Sequence, residues 1–295
     1  MADTSDRTAQ DYADGWWLSG DGLRLHYRDY AGAPERAPLL CVPGLTRNAR
    51  DFEALAERLA GTRRIIVAEL RGRGQSAYAK DAMTYLPPVY LQDLLALLAS
   101  LGNPRVVMIG TSLGGLLAMM LAVAARPLLA GVLLNDIGPV LEPTGLRRIR
   151  SYVGRGTSWP TWLHAARAIA ETHGDAYPDY DLVDWTAMAH RLCRLTGQGR
   201  IVTDYDARVA EPFRIDAGDA KVDLWPGLLA LAGMPSLLVR GALSDILSAA
   251  TADEMARRLP DMELVTLPRI GHAPTLDEPE SAAAIDRLLL RIDGF

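Results

Sequence analysis

Short, wholly apolar runs alternate with segments of helical period along most of this sequence. Residues 39–42 read LLCV and stop at Pro43-Gly44. Residues 64–70, 105–109, 131–135, 236–240 and 262–266 are runs of the same kind. A run that is apolar at every position, not at alternate ones, suits a strand buried on both faces. Between the runs lie helical candidates. Residues 51–60 place Phe52, Leu55 and Leu59 on one face, and residues 87–101 begin with prolines and end before Gly102. Residues 113–125, 251–259 and 281–292 are further helices. Strand and helix in alternation predict an α/β protein, with a mostly parallel twisted sheet and helices on both faces.

Two segments depart from this rhythm. GWWLSGDGLRLHYRDY, near the start, has strand-like residues on both sides of Ser19-Gly20-Asp21-Gly22, the signature of an antiparallel hairpin. From Val140 to Asp219 the chain is helical, polar and aromatic, without clear strands, and it holds Trp159, Trp162 and Trp185. The organisation expected is a core of residues 1–139 and 220–295, interrupted by a helical insertion at 140–219, roughly 80 residues and of ordinary size for an insert. A chain of 295 residues accommodates both parts around one sizeable core.

The strand at 105–109 runs into Gly110-Thr111-Ser112-Leu113-Gly114, and a helix follows at once. G-x-S-x-G alone is weak evidence. Between a buried strand and a helix it describes a sharp turn that holds the serine up at the C-terminal edge of the sheet, where open α/β sheets bind ligands. Glycine at both flanks lets the two backbones pass closely. The bland alternative is a serine that merely caps the helix.

A serine nucleophile needs a base. His272, in PRIGHAPTLDEP, follows the last strand and is flanked by Gly271 and Pro274; the other histidines fall in the hairpin or the insertion. The base in turn needs an orienting carboxylate. Asp245, a few residues beyond the strand at 236–240, gives the chain order Ser112, Asp245, His272 and is the acid expected. Asp136, directly after the strand at 131–135, is the alternative acid.

These residues resemble the α/β-hydrolase superfamily in its serine-hydrolase branch, over almost the whole chain. The resemblance implies the α/β-hydrolase fold, with the insertion as a helical cap over the active site. It implies an oxyanion hole from the backbone N–H groups of Leu45 and Leu113, with Pro43 standing where the family usually has histidine. Arg71-Gly72-Arg73-Gly74-Gln75-Ser76 is similar to a structural turn of the family. The activity implied is cleavage of a carboxylic ester through an acyl-enzyme, with no cofactor. A serine at position 112 argues against relatives that use aspartate there. Lactonases, cofactor-free haloperoxidases and carbon–carbon bond hydrolases share the triad and stay open, as does a ligand binder without turnover.

The cap's tryptophans and tyrosines (Trp159, Trp162, Trp185, Tyr152, Tyr177, Tyr180 and Tyr205) suggest a pocket for a small to medium apolar or aromatic ester, although aromatics at helical spacing more often pack a cap onto its core. Arg47 and Asn48, just past the oxyanion turn, are candidates for substrate contact.

Composition limits the partners. The net charge is −5 with no basic block, so nucleic acid is not expected. MADTSDRTAQDYADG lacks the layout of a signal peptide, and the apolar runs are too short to span a bilayer, so no membrane partner is expected. Two cysteines, Cys41 and Cys193, make no disulfide framework, and five scattered histidines form no metal motif. The expectation is a metal-free cytoplasmic enzyme, a monomer or homodimer.

Overall fold

The computed structural model describes residues 12–214 and 223–294. The reading of the extreme N-terminus (1–11) and the end of the insertion at 219 lie outside the described residues.

The chain opens with an antiparallel hairpin, β1 (Tyr12–Leu18) and β2 (Arg24–Tyr30). Its turn closes where Gly22 N–H donates to the Ser19 carbonyl at 2.9 Å, with Gly22 at φ +82°. Strands β3 (Leu39–Val42), β4 (Ile65–Glu69), β5 (Val106–Thr111) and β6 (Leu129–Asn135) follow, carrying between them α1 (Glu53–Leu59), α2 (Pro87–Ser100) and α3 (Leu113–Ala125). After the insertion come β10 (Ser236–Gly241), α9 (Ala249–Arg258), β11 (Met262–Leu267) and α10 (Pro279–Asp293). The eight strands lie in the order β1-β2-β4-β3-β5-β6-β10-β11. The pairs β1–β2 and β2–β4 are antiparallel; every other pair is parallel. The α/β architecture with an N-terminal hairpin is therefore as expected.

The continuous apolar runs have a direct cause. Along β5, Val106 and Met108 enter one core, shared with α2 and α3, while Val107 and Ile109 enter the other, shared with α1 and α10. Strands β3 and β4 divide their residues in the same way: Leu40, Val42, Ile66 and Ala68 to one side, Leu39, Cys41, Ile65 and Val67 to the other. Fully burying each large aliphatic side chain contributes about 1.5–3 kcal/mol, so no position on these strands tolerates a polar residue without loss.

The insertion holds α4 (Pro143–Tyr152), α5 (Trp162–His173) and α6 (Leu182–Leu192), and it is not strandless. β7 (Ser158–Trp159), β8 (Cys193–Leu195) and β9 (Ile201–Thr203) form a small antiparallel sheet in the order β7-β9-β8. Strands of two or three residues are too short to show a period, which is why the sequence reads as helix and loop there. The short helices α7 (Glu211–Arg214) and α8 (Trp225–Leu229) flank the undescribed residues before the chain returns to β10.

Candidate active site

Ser112 sits between β5 and α3 with φ +52° and ψ −111°, outside the regions an L-residue ordinarily occupies. The turn is held by Ser112 N–H on the Asn135 carbonyl at 2.9 Å and by Leu116 N–H on the Ser112 carbonyl at 3.0 Å. The flanking glycines are steric requirements. A Cβ on Gly110 would stand 2.3 Å from the Gly114 backbone carbon, and one on Gly114 would stand 2.0 Å from the Val42 carbonyl oxygen. The side chain is thereby raised at the C-terminal edge of the central strands.

His272 lies on the loop after β11. Ser112 Oγ stands 2.9 Å from its Nε2, and its Nδ1 stands 2.7 Å from Asp136 Oδ2. The carboxylate beside this histidine is thus Asp136 and not Asp245, which corrects the acid expected from chain order. Asp136 follows β6, next to the strand that delivers Ser112, and is completely buried. Gly241 N–H donates to its Oδ1 at 2.9 Å and Ser244 Oγ to its Oδ2 at 2.5 Å. With the imidazole these make three donors to one buried carboxylate, which offsets the cost of burying its charge.

Asp245 is turned the other way. Its carboxylate receives Arg148 of α4 through two hydrogen bonds of 2.5 and 2.7 Å, and its carbonyl accepts Gly145 N–H at 3.0 Å. Gly145 must be glycine for this approach, since a Cβ would stand 2.3 Å from that carbonyl oxygen. Burial tends to raise the Asp245 carboxyl, but Arg148, with a smaller contribution from His272, holds it below its ordinary value. The loop after β10 therefore contributes its preceding residue, Ser244, to the site and gives Asp245 to the insertion.

Leu45 lines the cavity that holds Ser112, and Leu113 follows Ser112 directly. Leu113 is the first residue of α3, so its N–H has no acceptor within the helix. The Leu45 loop is fastened by Arg73, whose Nε donates to the Leu45 carbonyl at 2.8 Å. Arg73 is itself wholly buried between Tyr85 and Tyr90, and Arg71 is ion-paired with Asp93 and Asp21. The R-G-x-G-x-S segment is accordingly an internal brace. A solvated basic turn would leave both arginines exposed.

Ser112 and His272 open into a small cavity of about 90 Å3. From the core its wall takes Leu45, Arg47, Asp51 and Phe52; from the insertion it takes Ile149, Tyr152, His173, Tyr177, Met188 and Arg191. Trp159, Trp162 and Trp185 are not in this wall. Trp185 is packed edge-on to Tyr177 and Tyr180, Trp162 stacks on His190 at 3.8 Å between centroids, and Trp159 packs on the same inner cluster. They stabilise the insertion's own core. Asn48 is also displaced from the wall. It is fully buried, caps the turn at Arg50 and donates to the Arg191 carbonyl at 3.1 Å, tying the loop to the insertion.

Ser244, beside Asp136, and His173 and Arg191, in the cavity wall, carry no signal in the sequence, whereas Tyr152 and Tyr177 belong to the insertion's aromatics and Arg73 to the R-G-x-G-x-S turn. Tyr177 donates to the Ala273 carbonyl at 2.7 Å, next to His272. No motif marks Ser244, His173 or Arg191, because each reaches the site through tertiary packing of the insertion or of a neighbouring loop.

His173 carries an electrostatic signature. Burial first, then the positive charges of Arg47, Arg148 and His272, push its pKa down to about 4. A histidine depressed in the folded state lends stability that is complete above its unfolded value and fades as pH falls toward the folded one. Wild type is expected to lose stability between about pH 6.5 and pH 4, and His173→Gln to lose less over that window. Urea unfolding at pH 7 and pH 5 measures the difference; parallel losses in both proteins would refute the assignment.

Serine, histidine and buried carboxylate thus stand in one line of close contacts at the sheet's edge. The model of the alpha/beta hydrolase family matches residues 39–285, and the chain belongs to that family. It is 35% identical to a 3-hydroxybutyrate-oligomer hydrolase of Cupriavidus necator over 280 residues, 90% of this chain and 93% of that protein. It is 25% identical to a 2-(acetamidomethylene)succinate hydrolase of Mesorhizobium japonicum, covering 88% of each. Among solved structures, an alpha/beta hydrolase from Novosphingobium aromaticivorans superposes with a TM-score of 0.93 at 58% identity, covering 96% of this chain and all of that one. These relatives are hydrolases. No helix among the described residues is long and apolar enough to cross a membrane.

Proposed function

We propose that the protein is a serine ester hydrolase for short aliphatic esters of the hydroxy-acid type, working through an acyl-enzyme on Ser112. The observation that carries this reading is the single imidazole placed between Ser112 Oγ at 2.9 Å and the buried Asp136 carboxylate at 2.7 Å. The substrate class draws on the likeness to the 3-hydroxybutyrate-oligomer hydrolase and on the small cavity, whose wall sets Arg47, His173 and Arg191 beside Phe52, Tyr152 and Tyr177.

In this mechanism His272 Nε2 takes the Ser112 proton as Oγ attacks the ester carbonyl. Asp136 keeps the proton of the neutral imidazole on Nδ1 and stabilises the imidazolium that forms. The N–H groups of Leu45 and Leu113 receive the developing oxyanion; donors of this kind are worth on the order of 10²–10³ each in rate. His272 returns its proton to the departing alkoxide, then activates a water that releases the acid and frees Ser112. Residues 140–219 act as the cap that completes the wall and excludes bulk water.

The test is hydrolysis of p-nitrophenyl esters from acetate to laurate, of 3-hydroxybutyrate dimers and of small lactones. Ser112→Ala is expected to lower turnover by 10⁴-fold or more, on the order found when serine triads lose their nucleophile. Wild-type turnover retained in Ser112→Ala, or absent on every substrate, would refute the reading; turnover of lactones alone would move it to a lactonase.

A further inference from the structure

The cavity is not neutral throughout. Arg47, from the loop after β3, reaches into the wall beside Ser112. The Cβ that Gly44 lacks would lie 3.5 Å from Arg47 Cγ and 3.7 Å from Ser112 Cβ, so these two carbons are at most about 7 Å apart. Asp51 fixes the guanidinium through Nε at 2.7 Å and Nη2 at 2.6 Å, and Nη2 also approaches Met188 Sδ at 3.4 Å. Arginine has five N–H groups in a rigid fork. Asp51 and Met188 engage Nε and Nη2, and neither engages the two N–H groups of Nη1.

The surroundings favour an anion there. The guanidinium groups of Arg47 and Arg148 both act on His173, which lies in the same wall. Arg191 adds a second guanidinium to the wall, while its counter-ion Asp277 is not a wall residue. Asp51 is the acid in the wall, and its carboxylate is already committed to Arg47.

We propose that Arg47 Nη1 receives a carboxylate carried by the substrate, and that Arg47 makes the site selective for esters bearing a free acid close to the scissile bond. In a hydroxybutyrate oligomer the terminal carboxylate carbon is four bonds from the last ester carbonyl carbon. That separation is about 5 Å when extended, short enough to lie within a cavity whose wall holds both Ser112 and Arg47. Asp51 keeps the fork from swinging into the oxyanion loop, so the ion pair preorganises the donor.

This selectivity rests on the ester-hydrolase reading, and its test separates the two. The first measurement is binding to Ser112→Ala by calorimetry, comparing 3-hydroxybutyrate dimer with its methyl ester. The free acid is expected to bind tenfold or more tightly than the methyl ester, and adding Arg47→Gln is expected to erase that preference. Equal affinities for acid and methyl ester, or a preference that survives Arg47→Gln, would overturn the proposal whether or not the protein turns over any ester. The second measurement is turnover. In the Arg47→Gln single variant, KM for the free-acid dimer should rise about tenfold or more beyond whatever change the variant makes in KM for the methyl ester. Equal losses on both substrates would assign Arg47 to scaffolding and overturn its role in selectivity.

Discussion

Asp136→Asn is expected to slow ester turnover by about 10⁴-fold, whereas Asp245→Asn should stay within about tenfold of wild type. The first substitution keeps the shape of the carboxylate but can present an amide N–H to His272 Nδ1. It then favours the tautomer that cannot accept the serine proton on Nε2. It also disturbs the donors Gly241 N–H and Ser244 Oγ, which fix the carboxylate at 2.9 and 2.5 Å. The second substitution touches only the link to Arg148, whose partners are each about a quarter exposed. Partly exposed ion pairs of this kind contribute little to stability, about 0–1 kcal/mol, so its effect should fall on the seating of α4. Steady-state kinetics of the two variants decides between the acids. A large loss in Asp245→Asn with little change in Asp136→Asn would restore the assignment made from chain order.

Gly114→Ala should lose both stability and activity. The added methyl would meet the Val42 carbonyl oxygen at 2.0 Å and its carbon at 2.8 Å, both backbone atoms with no rotamer to yield. To make room, α3 must move off β3, shifting Ser112 relative to the loop that carries Leu45. Overpacking of this kind costs about 3 kcal/mol or more where the neighbour is fixed. Gly20→Ala is the control, with open space around its Cβ position and an expected change within about 0.5 kcal/mol. Urea unfolding gives the difference. A Gly114→Ala protein as stable and as active as wild type would mean that the elbow is not packed against β3 as described.

The parts of the molecule that were legible in the sequence are those whose cause is local. The helix at 113–125 matches α3 residue for residue, because the elbow fixes its start and an apolar helical run fixes its length. The buried strands show because both of their faces pack on helices, leaving no polar position. Ser112 and His272 are legible for the same reason, each following a strand by a short loop. The acid is different. Asp136 and Asp245 both follow strands at the same edge, and β6 and β10 are neighbours, so chain order cannot say which carboxylate turns inward. That choice depends on Arg148, a residue of the insertion that draws Asp245 away.

The pocket was misread for a related reason. Large aromatics draw attention as ligand contacts, yet Trp159, Trp162 and Trp185 are needed to give a small insertion its own core. The cavity takes Tyr152 and Tyr177 from the insertion's aromatics, together with His173 and Arg191, which no local pattern distinguishes. The three-stranded sheet was missed because its strands are so short, although Ile201-Val202-Thr203 is a β-branched run that favours a strand.

The central claim is that His272 and Asp136 activate Ser112 as a nucleophile. Labelling by a fluorophosphonate, followed by peptide mapping, reads this directly and needs no knowledge of the substrate. Wild type and Asp245→Asn are expected to be labelled on Ser112 at similar rates, Asp136→Asn far more slowly, and Ser112→Ala not at all. Labelling elsewhere in the chain, or a rate unchanged by Asp136→Asn, would contradict the account.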